Sequence, residues 1–134
     1  VLQVQYSVYS TDLSVTSSSY TDVVTVSITP TYSNSTIVLL ATLRAQNPNT
    51  PSWWAARLYN KTAGSNVAPA SDGSYFVYNG SGNTIIITPL NYVTTSGSTT
   101  ARTYALQVAS HDGQGTAVNP NGYPSSLIVM EIAP

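Results

Sequence analysis

Apolar and polar positions alternate with a period of two along most of the chain. In Val1 to Ser10, Leu2, Val4, Tyr6 and Val8 fall on one side and Gln3, Gln5, Ser7 and Tyr9 on the other. This is the pattern of a half-buried strand with its apolar side toward a core. Val24, Val26 and Ile28 alternate with Thr25, Ser27 and Thr29 until Pro30 closes the run. Thr36 to Ala45 begins apolar on both sides (Ile37, Val38, Leu39, Leu40), as a central strand covered on both faces would. Shorter strands are predicted at Trp54–Asn60, Ser74–Tyr78 and Thr84–Leu90. Ala101–Ser110 then places Tyr104, Leu106 and Val108 on one side, and Ser126–Ile132 is apolar on both. No window carries a 3.6-residue period, and Gly, Pro, Asn and Ser clusters fill the gaps with turn chemistry. Eight strands in one domain spanning residues 1–134 predict an all-β antiparallel sandwich, an eight-stranded jelly roll.

Composition narrows the setting. Charged residues make up 7% of the chain, four Lys or Arg and five Asp or Glu, where an ordinary soluble domain carries roughly 25%. Ser, Thr, Asn and Tyr supply polar surface in their place. A formal net charge of −1 with four scattered cations offers no stripe that could track phosphates, so nucleic acid is not an expected partner. No apolar run reaches the ~18 residues of a spanning helix, and no membrane insertion is expected. The chain opens at Val1 rather than Met, as a fragment or a processed product would.

Site chemistry is thin. With no cysteine and one histidine, the usual zinc sets cannot form. A calcium site at Asp72 or Asp112 would have to be completed by backbone carbonyls, since no Asp-rich loop of EF-hand type is present. No metal or cofactor is expected. His111 and Asp112 are adjacent, and sequence neighbours on a loop rarely form a base and its orienting acid; no Gly-x-Ser-x-Gly elbow accompanies them. The chain reads as a non-enzymatic structural or binding protein.

Several segments carry a resemblance when taken in order. They are Val1-Leu2-Gln3-Val4, Tyr20-Thr21-Asp22-Val23 leading into Val26-Ser27-Ile28-Thr29-Pro30, and Ser35-Thr36-Ile37-Val38. Thr103-Tyr104-Ala105-Leu106-Gln107-Val108 and Ser125-Ser126-Leu127-Ile128-Val129-Met130-Glu131-Ile132 follow. Together they resemble the C-terminal head domains of bacteriophage fibre and virion-surface proteins, cyanophage types among them. The resemblance spans nearly the whole chain except Gln46 to Asn83, and it rests on strands rather than catalytic motifs. It implies a jelly roll like that of tumour necrosis factor, trimeric and displayed on the virion surface. Expected partners are two further copies, other virion proteins and a host-surface glycan or protein receptor. A capsid decoration or fibre-tip module without a receptor, and a secreted carbohydrate-binding module, are the alternatives.

Two sets of residues become candidates. The doubly apolar strands need a cover for their second face, which a neighbouring subunit or, alternatively, a loop within the chain would supply. Ile37, Leu39, Trp54, Leu127, Val129 and Glu131 are the expected interface positions, with Arg44, Arg57 or Arg102 as an ion-pair partner for Glu131. With eight strands reversing in turn, the loops Thr11–Ser19, Gln46–Trp53, Asn79–Asn83 and His111–Tyr123 gather at one end. Asn47, Asn49, Asn79, Asn83 and Asn121 offer paired donors and acceptors there, and His111 and Asp112 share the rim. Trp53 and Tyr123 offer flat apolar faces for a pyranose. The same Asn and Gly residues also suit turns, and Asn79-Gly80-Ser81-Gly82-Asn83 reads first as a hairpin.

Overall fold

A computed structural model describes residues 1–47, 52–68, 75–80 and 83–134, with the side chains of residues 68 and 79 left out. The strands are β1 (Gln3–Tyr9), β2 (Leu13–Val15), β3 (Thr21–Ile28), β4 (Thr36–Gln46), β5 (Ser52–Asn60) and β6 (Ser65–Ala68). They continue with β7 (Tyr75–Asn79), β8 (Ile86–Thr95), β9 (Arg102–Ser110), β10 (Thr116–Val118) and β11 (Ser125–Ile132).

Among the described residues, eleven strands collapse onto eight ribbons. Along one edge, β1 pairs with β11 and β2 with β10, so β1–β2 and β10–β11 are two long strands, each interrupted once. A 3-10 turn at Pro120–Gly122 makes one of these interruptions. The two breaks brace each other, because Asn119 Nδ2 donates to Thr11 O at 3.1 Å and the Gly122 amide to Asp12 Oδ1 at 3.1 Å. Likewise β6 and β7 both pair with β5, one after the other. Sheet one therefore runs β1/β2, β11/β10, β4, β8, and sheet two runs β3, β9, β5, β6/β7. That order, every pair antiparallel, is the jelly roll. β8 runs five residues past its predicted end and carries Pro89 inside it. It pairs with β4 alone, and an edge strand tolerates a residue that cannot donate.

The core lies between the sheets. Val24, Val26 and Ile28 of β3, Trp54 and Leu58 of β5, and Tyr104, Leu106 and Val108 of β9 face Ile37, Leu39 and Leu43 of β4 and Leu127 and Val129 of β11. A bulge at Val23 leaves both Val23 and Val24 buried and sets Asp22 opposite Gln107. Trp54 is wholly inaccessible. Trp54→Ala is expected to cost about 3–5 kcal/mol, read as a lower urea midpoint at unchanged slope.

Two sequence expectations are corrected here. Ile37, Leu39, Trp54, Leu127, Val129 and Glu131 are each 0% exposed in the single chain, so none can touch a second subunit. On β4 and β11 the outward phase is the other one, Val38, Leu40, Ile128 and Met130. Glu131, moreover, has no arginine partner. Its Oε1 accepts from Ser35 Oγ (2.6 Å) and the Thr31 (2.7 Å) and Tyr32 (3.3 Å) amides; its Oε2 accepts from Gln3 Nε2 (2.7 Å) and Thr31 Oγ1 (3.1 Å). Burial pushes this carboxyl up, but the bonds from Ser35, Gln3, Thr31 and Tyr32 outweigh it and hold the group at about 2.

The Glu131 contacts also explain why β1 is inverted. Register places Gln3 opposite Glu131, and Gln3 Nε2 reaches Thr29 O at 2.7 Å as well. Gln3, Ser7 and Tyr9 are thereby the more covered side, and Leu2, Val4, Tyr6 and Val8 face outward. A one-residue slip would reverse this, at the cost of the Gln3 contacts.

Candidate functional site

The loop end of the sandwich is tied together by backbone hydrogen bonds. The Asn83 amide donates to Asn47 O at 2.7 Å, the His111 amide to Trp53 O at 3.1 Å, and the Ser110 amide to Ser17 O at 2.9 Å. All four connections singled out in the sequence meet here, although two of them contain the short strands β2 and β10.

The candidate residues separate into three groups. Asn47 is 1% exposed and acts as a pin, its carbonyl taking Asn83 and its Oδ1 taking Thr116 Oγ1 at 3.3 Å. Its burial removes it from any ligand surface, a correction to the sequence reading. Asn83 and Asn121 are exposed and adopt φ of 51° and 58°, the left-handed turn geometry that asparagine tolerates. Asn49 and the side chain of Asn79 lie outside the described residues, as does Asp72.

Tyr123 and Trp53 do not share a platform. Tyr123 rests against the outer face of sheet one, where it borders a shallow cavity of about 310 Å³ with Arg44, Ile85 and Ile87. Arg44 is fixed there by Nη1 donating to Pro124 O at 2.8 Å. Trp53 lies on the outer face of sheet two, in the opposite phase to buried Trp54.

Around Trp53 the structure does assemble a site. Cross-strand register sets Trp53 opposite Tyr78 and Ala55 opposite Phe76. The Trp53 and Tyr78 rings lie 4.8 Å apart, tilted by 39°. His111, at the end of β9, contacts Phe76 edge to face at 4.8 Å and 72°, with Ala55 covered at the centre. Trp53, Phe76 and His111 border a shallow cavity of about 410 Å³. Asp112 follows His111 and is tied back to β5: Ser52 Oγ donates to its Oδ1 at 2.6 Å, and the Gln114 and Trp53 amides donate at 3.2 Å each. Partial burial pushes the Asp112 carboxyl up, yet the Ser52 hydroxyl and the Gln114 and Trp53 amides hold it below the ordinary carboxylate range.

Sequence reasoning missed Phe76 and Tyr78. In Tyr75-Phe76-Val77-Tyr78 every residue is apolar or aromatic, so periodicity cannot say which pair faces out; only pairing with β5 decides it.

The hydrogen-bond order here is not that of a nucleophile relay. Ser52 donates straight to Asp112 while the His111 ring packs on Phe76. Below this site, the outer face of sheet two is polar. Arg57 lies between the Tyr20 and Tyr59 rings (3.8 and 4.3 Å) and donates to Gln107 Oε1 at 2.7 Å and Asn66 Oδ1 at 2.9 Å. Gln107 in turn donates to Asp22, which pairs with Lys61. Among the described residues no three His, Asp or Glu side chains group as metal ligands, and no helix is long and apolar enough to cross a membrane.

No family model matches the chain, and no curated protein does. Among solved structures it is similar in fold to VP2 of infectious bursal disease virus. The VP2 subviral particle aligns over 98% of this chain at 15% identity with a TM-score of 0.53. A D431N mutant VP2 from T=1 particles aligns over 97% at 15% identity and a TM-score of 0.51. The chain spans 36–37% of those VP2 chains. At such identity the likeness establishes the jelly-roll fold alone.

Proposed function

We propose that this chain is a non-enzymatic structural module of a virus particle. In this reading it is a homotrimeric head domain, of the bacteriophage fibre kind its strands resemble, displayed on the virion surface. The loop end then meets a host-surface receptor, and the opposite end joins other virion proteins.

The observation that carries the assembly half is the outer face of sheet one. Register aligns Val4, Met130, Val38 and Val93 in one row across four strands, and Tyr6, Ile128, Leu40 and Asn91 in the next. Tyr6 is 74% exposed and Val93 58%. Monomeric soluble proteins rarely leave so continuous an apolar field uncovered. The fold likeness agrees, since the VP2 chains it resembles build T=1 and subviral particles.

Light scattering over a range of concentrations tests the reading. A stable mass of three chains is the expected result. A monomer at every concentration would sink the assembly half and favour a solitary carbohydrate-binding module.

A further inference from the structure

The two outer faces expose different chemistry. On sheet one the exposed apolar side chains are mostly aliphatic: Leu2, Val4, Val8, Ile87, Val93 and Ile132. Among the described residues at the loop end of sheet two they are all aromatic: Trp53 at 43%, Phe76 at 47% and Tyr78 at 50% exposed. This patch holds the chain's single phenylalanine, its single histidine and one of its two tryptophans. Aliphatic area suits closure by another protein surface. Rings held open to solvent, with polar groups at their edge, suit stacking against a flat ligand.

From this geometry we infer that the groove of Trp53, Phe76 and His111, with Tyr78 packed on Trp53 and Asp112 next to His111, is a binding site for a neutral carbohydrate. The C–H face of a hexopyranose or N-acetylhexosamine stacks on the rings, and its hydroxyls reach Asp112 and the imidazole. The inference deepens the receptor half of the proposed function and rests on it.

Three features select this ligand class. The Trp53 and Tyr78 rings lie opposite each other across β5 and β7 and pack together at 4.8 Å with a tilt of 39°, which leaves an outward ring surface for a sugar and no gap between the two rings to enclose a quaternary ammonium. The charge at the rim is a carboxylate, kept ionised and aimed by Ser52 and two amides. It accepts from hydroxyls and repels sialyl, sulfate or phosphate groups. Both Lys or Arg side chains of this sheet face are engaged, Arg57 by Gln107, Asn66 and two tyrosine rings and Lys61 by Asp22, so neither is free to neutralise an anion. A cavity of about 410 Å³ lies within the roughly 300–1,000 Å³ of small-ligand sites. Its open form fits one or two residues of a longer glycan. Weak contact at each copy becomes firm attachment when several copies bind together.

The test is an array carrying neutral, acidic and choline-bearing glycans, probed with the wild-type chain and the variants Trp53→Ala, Tyr78→Ala, Trp53→Phe and Tyr123→Ala. Thermal melts confirm that each variant folds. Binding confined to the neutral arm is expected, reduced at least tenfold by Trp53→Ala and Tyr78→Ala. It should be largely kept by Trp53→Phe and unchanged by Tyr123→Ala. Tryptophan emission should shift blue on titration with the best neutral glycan in wild type but not in Trp53→Phe, where only buried Trp54 remains. Binding only to acidic or choline glycans, or neutral binding indifferent to Trp53, would overturn the site while leaving receptor attachment standing. Silence on all three arms would remove both the site and a glycan receptor.

Discussion

Glu131→Leu is expected to destabilise the fold more than any other exchange of a single polar residue, lowering the melting temperature by on the order of 10 °C. The carboxylate accepts five hydrogen bonds in a place water does not reach, from Gln3, Ser35, Tyr32 and both the amide and hydroxyl of Thr31. Leucine fills the volume and leaves the amides of Thr31 and Tyr32 without a partner, and an unsatisfied buried donor costs more than a made bond contributes. Glu131→Gln keeps one oxygen and should be milder. It is still unfavourable, because its new amide must face donors on one side.

The same group sets an acid limit. Its folded value of about 2 lies below its ordinary 4.5, so its contribution is complete above pH 4.5 and is lost as pH falls from there toward 2. Urea midpoints taken between pH 2 and 7 check this. The difference between wild type and Glu131→Gln should be flat above pH 5 and shrink below it. A difference constant down to pH 2 would show that the carboxylate is not held ionised.

Glu131 also marks where the sequence stopped being legible. Alternation, apolar runs and the turn residues between them located all eight ribbons, because strand existence depends on local signals that are written in the chain. It also placed Glu131 in phase with Leu127 and Val129, which is where the residue sits. Its partners were not legible. Four of the five bonds come from Thr31, Tyr32 and Ser35, a turn whose fold is set by contacts distant in sequence. The inward face of β1 was misread for the same reason, since hydrophobic alternation there points one way and the Gln3–Glu131 contact holds the strand the other way. At the loop end, Trp53, His111 and Asp112 stood out by rarity, and the structure brings them together. Phe76 and Tyr78 lacked a polar alternation to fix their side, and Tyr123, read as a loop-end residue, lies against sheet one beside Arg44 and Ile87, apart from Trp53.

The inversion of β1 has a second consequence, which Met130→Lys exposes. Met130 sits between Val4 and Val38 in the apolar row of sheet one, half-buried in the single chain. A lysine there can extend its amine into water, so the isolated domain should keep its fold within about 1 kcal/mol. In the proposed trimer the same amine is enclosed three times over, without an anion. Of the described acids, Glu131 points inward, Asp22 and Asp112 are engaged on the other sheet, and Asp12 sits in the break between β1 and β2 with its Oδ1 taken by the Gly122 amide. Burying an unpaired charge costs several kcal/mol at each copy, more than an interface of ordinary size retains. The expected outcome is a solution mass that falls from three chains to one, with circular dichroism unchanged. Thr25→Lys, on the outer face of sheet two, should leave the mass at three. The wild-type melting temperature should rise with protein concentration and that of Met130→Lys should not, because only an associating fold gains stability by mass action. A trimer that survives Met130→Lys would move the contact away from sheet one. The solvent-facing Leu2, Val4, Tyr6 and Val8 would then need another cover.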